Sequence, residues 1–398
     1  MSRPETGDLR IVLIIGTRPE AIKLAPVALA LREQDGLTAS IWCTGQHDRW
    51  APEMLAYFGL QPDLSLETTD SKRGLARLGG TLLNGLQLAL QEDRPDVVIV
   101  QGDTSSAFAG ALAAAYAGIP VVHVEAGLRC ADRRTPFPEE AHRRAIAHFT
   151  DLHCVPTEIA RANLLAEGAR ETDILFCGNT VVDALEHVRR FSPANCVTPE
   201  TAGSVRKLVL ITCHRRENWN GPFAAICAAI GRIALRGDCD IVFVTPLNPA
   251  LADRARRILD GRERVRLIQP LGYPEFIQLL GQATLILTDS GGVQEEASAL
   301  GVPLLVLRDR TERPEALAVG TARLVGSDEE DIVATANQLL DADAALAAMR
   351  VPCTLYGDGQ AARRIAEAIT ERWGRNRRPA SGAQIKEAAS HLLSNVSA

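Results

Sequence analysis

The chain has 398 residues, enough for two ordinary domains and a sizeable core. Its 46% hydrophobic and 23% charged residues exclude a disordered chain, and a net charge of −6 argues against a chain-wide nucleic-acid surface. No apolar run is long enough to span a bilayer, and the polar start MSRPETGDLR lacks a signal-peptide core, so the expected location is the cytosol.

In chain order, RIVLIIG (10–16) predicts a buried strand and PEAIKLAPVALALREQ a helix with a periodic apolar face. ASIWCTG predicts the next strand. PDVVIVQGD and PVVHVEAG predict two more, with the helix SAFAGALAAAYAG between them. Continuous apolar strands joined by helices imply a parallel sheet covered on both faces. The polar, Pro/Ser/Thr-rich stretch 189–207 predicts a linker between a domain over 1–188 and a second over 208–357. After it the pattern restarts. KLVLITCHRREN repeats the strand, polar turn and basic residue of RIVLIIGTRPEA, and DIVFVTP, VRLIQPLG, ATLILTDSGG and PLLVLRD continue it. The expected fold class is therefore α/β, with two doubly wound, Rossmann-like halves facing a cleft. Residues 376–398 predict a frayed tail.

The nine cysteines include no C-x-x-C pair. Cys43, Cys177 and Cys227 lie in apolar surroundings, which predicts buried free thiols rather than a disulfide framework or a zinc site. The eight histidines show no metal-ligand spacing.

Ligands of open α/β sheets bind at the carboxyl ends of the strands. Arg18, Asp103, Glu125, His214 and Ser290 each follow an apolar strand within a few residues, which predicts a cleft-lining set. In TDSGGVQEEASALGVP (288–303), Ser290 is placed to cap a helix, and Gly291 and Gly292 let backbone amides approach an anion at its positive end. Glu295 and Glu296 follow at once, and the stretch alone reads equally as a tight turn with a cap and acids that complement the helix dipole. One ligand class reconciles amides with a carboxylate: a nucleotide, with its phosphates on the amides and its ribose diol on Glu296. Neither G-x-G-x-x-G nor the Walker pattern is present, which disfavours NAD and ATP. Arg18 and Lys23 are candidates to clamp phosphate from the other half, Lys23 having a solvated helix position as its alternative. Asp103, Glu125 and Glu139 suit paired acid and base roles, or else Glu125 or Glu139 pairs with Arg129 or Arg143 for structure. His214, beside Arg215 and Arg216, is a candidate to donate to a diphosphate or to move a proton.

In order along residues 10–372, GTRPEAIKLAP, QGDT, HVEAGLR, PFPEE, GNTVVDAL, HRREN, TDSGGVQEEA, RDRTERPEA and YGDGQAARRI resemble the non-hydrolysing UDP-N-acetylglucosamine 2-epimerases. The resemblance implies a glycosyltransferase-B-type fold, with a last helix (358–375) that crosses back onto the first domain. It implies interconversion of UDP-GlcNAc and UDP-ManNAc through elimination and re-addition of UDP, without a metal or cofactor, in a homodimer. Asp103, Glu125 and Glu139 match the family's acid/base carboxylates, and His214 its histidine near the diphosphate. Arg18, Lys23, Ser290, Gly291, Gly292 and Glu296 match UDP-binding positions, Phe276 the residue beside uracil, Arg313 a further nucleotide contact, and Arg143 the family's arginine. His142 replaces the usual Asn. Pro246 in PLNP replaces the usual His, and the 48–50 segment departs from the family's continuation after His47. These departures fall where a second UDP-GlcNAc activates such enzymes, and they imply weakened activation. Alternatives are an epimerase of a modified UDP-sugar such as a UDP-diacetamido-uronic acid, a hydrolysing relative, a glycosyltransferase on the same cleft, and a non-catalytic UDP-sugar sensor.

Overall fold

The structure, a computed structural model, describes residues 8–46, 50–66, 74–130, 132, 134, 136–191, 206–219, 221–351 and 354–374. The first half of the chain runs β1 (Leu9–Ile15), α1 (Arg18–Arg32), β2 (Leu37–Cys43), α2 (Trp50–Tyr57), β3 (Leu64–Ser65), α3 (Leu75–Asp93) and β4 (Val97–Gln101). It continues with α4 (Ser105–Tyr116), β5 (Val121–Val124), α5 (Glu139–Phe149), β6 (Leu152–Val155), α6 (Glu158–Ala166), β7 (Ile174–Phe176) and α7 (Thr180–Phe191). Its strands form one sheet in the order β3-β2-β1-β4-β5-β6-β7, and the pairings are parallel.

The second half runs β8 (Lys207–Thr212), α8 (Pro222–Ala234), β9 (Cys239–Val244), α9 (Pro249–Leu259), β10 (Val265–Ile268), α10 (Tyr273–Gln282) and β11 (Leu285–Thr288). Then come α11 (Gly291–Leu300), β12 (Leu304–Val306), α12 (Pro314–Ala318), β13 (Ala322–Leu324), α13 (Glu329–Asp341), α14 (Asp343–Met349) and α15 (Ala361–Ile369). Its parallel sheet has the order β10-β9-β8-β11-β12-β13. In each sheet the order reverses beside the first strand of its half, at β1/β4 and at β8/β11. These switch points are where strand-end loops diverge and leave a crevice.

Strands such as β4, VVIVQ, are buried along their whole length because helices cover both faces of the sheet. Helix α1 is buried on nearly all sides, since it packs against α2, α7 and α15 as well as the sheet. One apolar stripe was expected for it; an interior position allows apolar residues all round.

Helix α15 lies on α1 and α7. Its buried residues Ala361, Ala362, Ile365, Ala366 and Ile369 form one stripe. Asp183 on α7 accepts from the amides of Ala361 (3.3 Å) and Ala362 (2.9 Å), satisfying donors that the first turn of a helix leaves open. The chain reaches α15 past a backbone contact that only glycine permits: a Cβ on Gly178, at φ +90°, would stand 2.9 Å from the Gly357 Cα. Truncating the fully buried Ile365 to Ala would cost about 2–5 kcal/mol of this docking.

The expected linker over 189–207 starts inside α7, which runs to Phe191; its residues 192–205 lie outside the described residues, as does the expected tail, 376–398. The seven described cysteines are free, and all but Cys130 are buried. No described helix is long and apolar enough to cross a membrane.

Candidate active site

The turn after β1 must pass close to the turn after β4. A Cβ at Gly16 would lie 1.9 Å from the Ser106 hydroxyl, so only glycine fits there. Thr17 occupies the N-cap of α1 in an extended conformation, Arg18 opens the helix and Pro19 sits in its first turn. Arg18 reaches toward the second sheet. Its Nη2 donates to the Leu271 carbonyl (3.0 Å), and its guanidinium stands 5.7 Å from the centre of the Trp50 ring. Burial lowers the Arg18 pKa, while Glu296 and the nearby acids oppose that shift.

Glu125 follows β5 at φ +61°, a left-handed backbone that costs a residue with a Cβ energy and clusters at functional sites. Its carboxylate is buried and accepts from Gln101 Nε2 (2.7 Å), Lys23 Nζ and Arg313 Nη2 (3.1 Å). Lys23 is thus buried rather than solvated, and Glu295 is its second partner at 3.4 Å. Burial pulls the Lys23 pKa down, but Glu125 and Glu295 outweigh it and the net direction is up.

Arg313 spends its donors on three carboxylates: Nε on Glu295 (2.7 Å), Nη1 on Glu312 (2.6 Å) and Nη2 on Glu125. It lies over the start of α11, and a Cβ at Gly291 would come within 2.4 Å of its Nη1. A Cβ at Gly292 would meet nothing within 4 Å, so that residue's reason is not packing. Ser290 is the N-cap of α11, but its side chain makes no capping bond, contrary to expectation.

Glu312 is fully buried. It accepts from Arg308 Nη1 (2.8 Å), Arg215 Nη2 (3.3 Å) and Arg313, and Arg143 of the first sheet approaches to 4.0 Å. Arg143 in turn pairs with Asp103 at 2.6 Å. Charges therefore alternate from Asp103 through Arg143, Glu312, Arg313 and Glu125 to Lys23, crossing from one sheet to the other and back. Burial pushes the Asp103 pKa up; Arg143 and Arg215 overcome it and hold Asp103 below the usual carboxylate range.

The two acids that open α5 differ. Glu140 is fully buried and accepts from the Cys130 amide (3.0 Å), Arg143 (3.0 Å) and Arg144 (2.9 Å). Glu139 is half-buried and has no ion-pair partner among the described residues. The pairing of Glu125 or Glu139 with Arg129 or Arg143, weighed from the sequence, does not occur: Arg129 pairs with Glu167. His142 Nδ1 donates to the Asp103 carbonyl (2.9 Å), and the ring stacks on Phe108.

His214 stands exposed at the end of β8. Asp289 supports its loop by accepting from the amides of His214 (3.0 Å) and Arg215 (2.8 Å), and lies 3.6 Å from His214 Nδ1. Glu296 is buried beside Tyr273 and Arg18, and burial pushes its pKa up to about 7. Phe276 sits half-buried on α10, one turn after Tyr273. The residue reading did not single out Glu20, Gln101, Asp289, Arg308 or Glu312. All five lie inside the quoted motifs GTRPEAIKLAP, QGDT, TDSGGVQEEA and RDRTERPEA, which was the available signal.

Two parallel α/β sheets whose strand ends share one charged cleft define an enzyme with the glycosyltransferase-B type of fold. The model of the UDP-N-acetylglucosamine 2-epimerase family matches residues 29–370. The UDP-N-acetylglucosamine 2-epimerase of Escherichia coli K12 is 43% identical over 91% of this chain and 98% of its own length. A probable UDP-N-acetylglucosamine 2-epimerase of Ralstonia nicotianae is 42% identical over 90% of this chain and 98% of its own. The crystal structure of the Neisseria meningitidis UDP-GlcNAc 2-epimerase, bound to UDP-GlcNAc, has a TM-score of 0.87 at 36% identity, covering 91% of this chain and all (100%) of that one. The chain belongs to the UDP-N-acetylglucosamine 2-epimerase family, and its activity is that of an isomerase.

Proposed function

We propose that the chain converts UDP-GlcNAc into UDP-ManNAc by elimination and re-addition of UDP. One observation carries the reading: Arg313 touches both the carboxylate of Glu125 and the glycine start of α11. An acid/base group and an anion-binding helix end are thus one side chain apart, which is what a reaction that breaks a C–H bond and expels a diphosphate needs. In the forward step the C2–H bond breaks and a carboxylate takes the proton. The C1–O bond breaks, its electron pair leaves with UDP, and a C1=C2 double bond forms in a 2-acetamidoglucal. UDP then adds back at C1 while a carboxyl group returns a proton to the opposite face of C2.

Asp103, Glu125 and Glu139 are the proposed acid/base groups, and His214 the donor to the departing diphosphate. Arg18, Ser290, Gly291, Gly292, Glu296 and Phe276 are the proposed UDP contacts. Lys23, Arg143 and Arg313 serve the same site by holding Glu125 and Asp103 in place, and Arg143 helps to keep Asp103 ionised. Turnover of UDP-GlcNAc alone in D2O, followed by proton NMR, is expected to put deuterium at C2 of both epimers. Glu125→Gln and Glu139→Gln should slow that exchange by about 100-fold or more while UDP affinity changes little. Product without deuterium would exclude the route.

The effector reading rests on Pro246. It is buried after Thr245, whose amide and hydroxyl both bond to the Ile268 carbonyl (2.9 Å each), and proline offers no donor of its own. Gln46 is engaged, its Oε1 accepting from the Ser106 hydroxyl at 2.7 Å. His47, Asp48 and Arg49 lie outside the described residues. Initial rates from purified UDP-ManNAc should be the same with and without a trace of UDP-GlcNAc; a lag that the trace abolishes would show a working effector site.

A further inference from the structure

We propose that Glu20 is a positioning residue for this reaction: its carboxylate ties the turn that carries Arg18 to the turn that carries Asp103. The inference rests on the reading of those two residues as site residues. Glu20 lies in the first turn of α1 and is fully buried. Its Oε2 accepts from the Gly16 amide (3.1 Å) and the Thr17 hydroxyl (2.7 Å). Its Oε1 accepts from the Thr104 hydroxyl (2.7 Å), on the turn after β4. Thr104 directly follows Asp103 and caps α4 by accepting from the Ala107 amide (3.0 Å).

β1 and β4 are neighbours, while β2 lies on the far side of β1. The two turns therefore lead to helices in opposite directions, and a crevice opens between them. Glu20 bridges the floor of that crevice. If it only secured the start of α1, Oε2 alone would suffice, because the Thr104 bond does nothing for that helix. What the second oxygen fixes is the separation of the Arg18 and Asp103 turns.

All three donors are neutral: the Gly16 amide can only donate, and both threonine hydroxyls donate in the arrangement seen. An ionised carboxylate satisfies all of them. A protonated one must turn a hydrogen toward a threonine hydroxyl, which reverses the direction of one of those bonds. Burial pushes the Glu20 pKa up to about 7, with the threonine and backbone donors opposing it. Above that pH both oxygens only accept; as the pH falls through it, one bond of the tie must reverse. The titratable group facing Glu20 from β2 is Cys43, whose thiol burial and Glu20 push up to about 12, so it stays neutral throughout. The groups facing it from α4 and from the β1 turn are hydroxyls and an amide.

The experiment compares wild type with E20Q, T104V, T104S and D103N, measuring kcat and KM from about pH 5.5 to 8.5 and UDP affinity by calorimetry. In E20Q the amide oxygen still serves Gly16 and Thr17, but its NH2 faces Thr104, whose hydroxyl must then accept from it as well as from the Ala107 amide, so the Asp103 turn must shift. UDP affinity should stay within about threefold, and kcat should fall about 10- to 100-fold, the cost of misplacing a reacting group by roughly 1 Å. Glu296 is also pushed up to about 7, so the acid limb of wild-type kcat/KM should reflect two protons. E20Q should leave one. T104V should lose kcat as E20Q does, and T104S should restore it. E20Q with wild-type kcat and an unchanged limb overturns the proposal, as does T104V indistinguishable from T104S. Should E20Q fail to fold, the Thr104 pair decides. An inactive D103N beside an unaffected E20Q sinks this inference alone, whereas a fully active D103N removes the site reading and this inference with it.

Discussion

Two regions of the cleft treat buried carboxylates in opposite ways. Along the central chain of charges, burial pushes Glu312 up, but Arg313, Arg215, Arg308 and Arg143 outweigh it and hold Glu312 well below the usual range. At the margins, Glu20 and Glu296 are as deeply buried, yet Glu20 has hydroxyls and an amide close by, and Glu296 has Tyr273 with Lys23 and Arg18 too weak to offset burial, which pushes both up to about 7. Glu295 lies between, raised by burial against Arg313 and Lys23. Equal burial with different partners gives opposite protonation behaviour. Glu312 and Asp103 are held charged, whereas Glu20 and Glu296 titrate near neutrality.

Removing the hub of the centre should break the comparison most sharply. Glu312→Ala leaves its arginines without their shared acceptor in a dry site, and unfolding in urea should show a loss of about 3–5 kcal/mol. Glu20→Ala removes an acceptor from neutral donors and should cost about 1–3 kcal/mol. Equal losses would mean that the arginines around Glu312 are better solvated than their burial suggests.

The adjacent pair Glu295 and Glu296 tests the same contrast within one turn of α11. Glu296→Ala should weaken UDP binding by about 1.5–3 kcal/mol in calorimetry, the cost of losing a carboxylate bonded to hydroxyls. Glu295→Ala should affect UDP less directly and stability more, because Arg313 and Lys23 both lose a partner. Equal UDP affinity for wild type and Glu296→Ala would remove the ribose reading.

The alternation of apolar strands and helices made both sheets legible, since β1, β4, β8 and β11 are buried throughout or nearly so. The strands β3, β7 and β13 escaped because they span two or three residues and are partly exposed. β6, LHCV, is buried, but His153 and Cys154 interrupt its apolar run. The glycine start of α11 and the cleft-facing acids were legible as residue types at strand ends. Their partners were not. Arg313 meets Glu125 across 188 positions of chain, a pairing that no local pattern encodes. In PFPEE the residue reading could not tell which glutamate is pinned; the structure commits Glu140 to the frame and leaves Glu139 unpaired among the described residues.

The smallest expected effect separates the two regions by pH. The Glu20 and Glu296 carboxyls ionise near 4.5 in the unfolded chain and near 7 in the folded one. Between those values the native state holds the proton that the unfolded state has released, so stability falls as the pH rises through this window and is flat above it. Asp103 and Glu312 have the opposite sign: lowered in the fold, they lend stability above their unfolded pKa that is lost as the pH falls below about 4. The windows do not overlap. Each pKa unit corresponds to about 1.4 kcal/mol, and screening by water entering the cleft reduces the yield to on the order of 1 kcal/mol per marginal carboxyl. Unfolding free energy measured from about pH 5 to 8 should therefore decline in wild type, and decline about half as steeply in Glu20→Gln or Glu296→Gln. The slope is the readout, because it is insensitive to the hydrogen bonds each substitution also removes. A wild-type slope that neither variant alters would mean that both carboxyls titrate like exposed ones, and the distinction between centre and margin would fail.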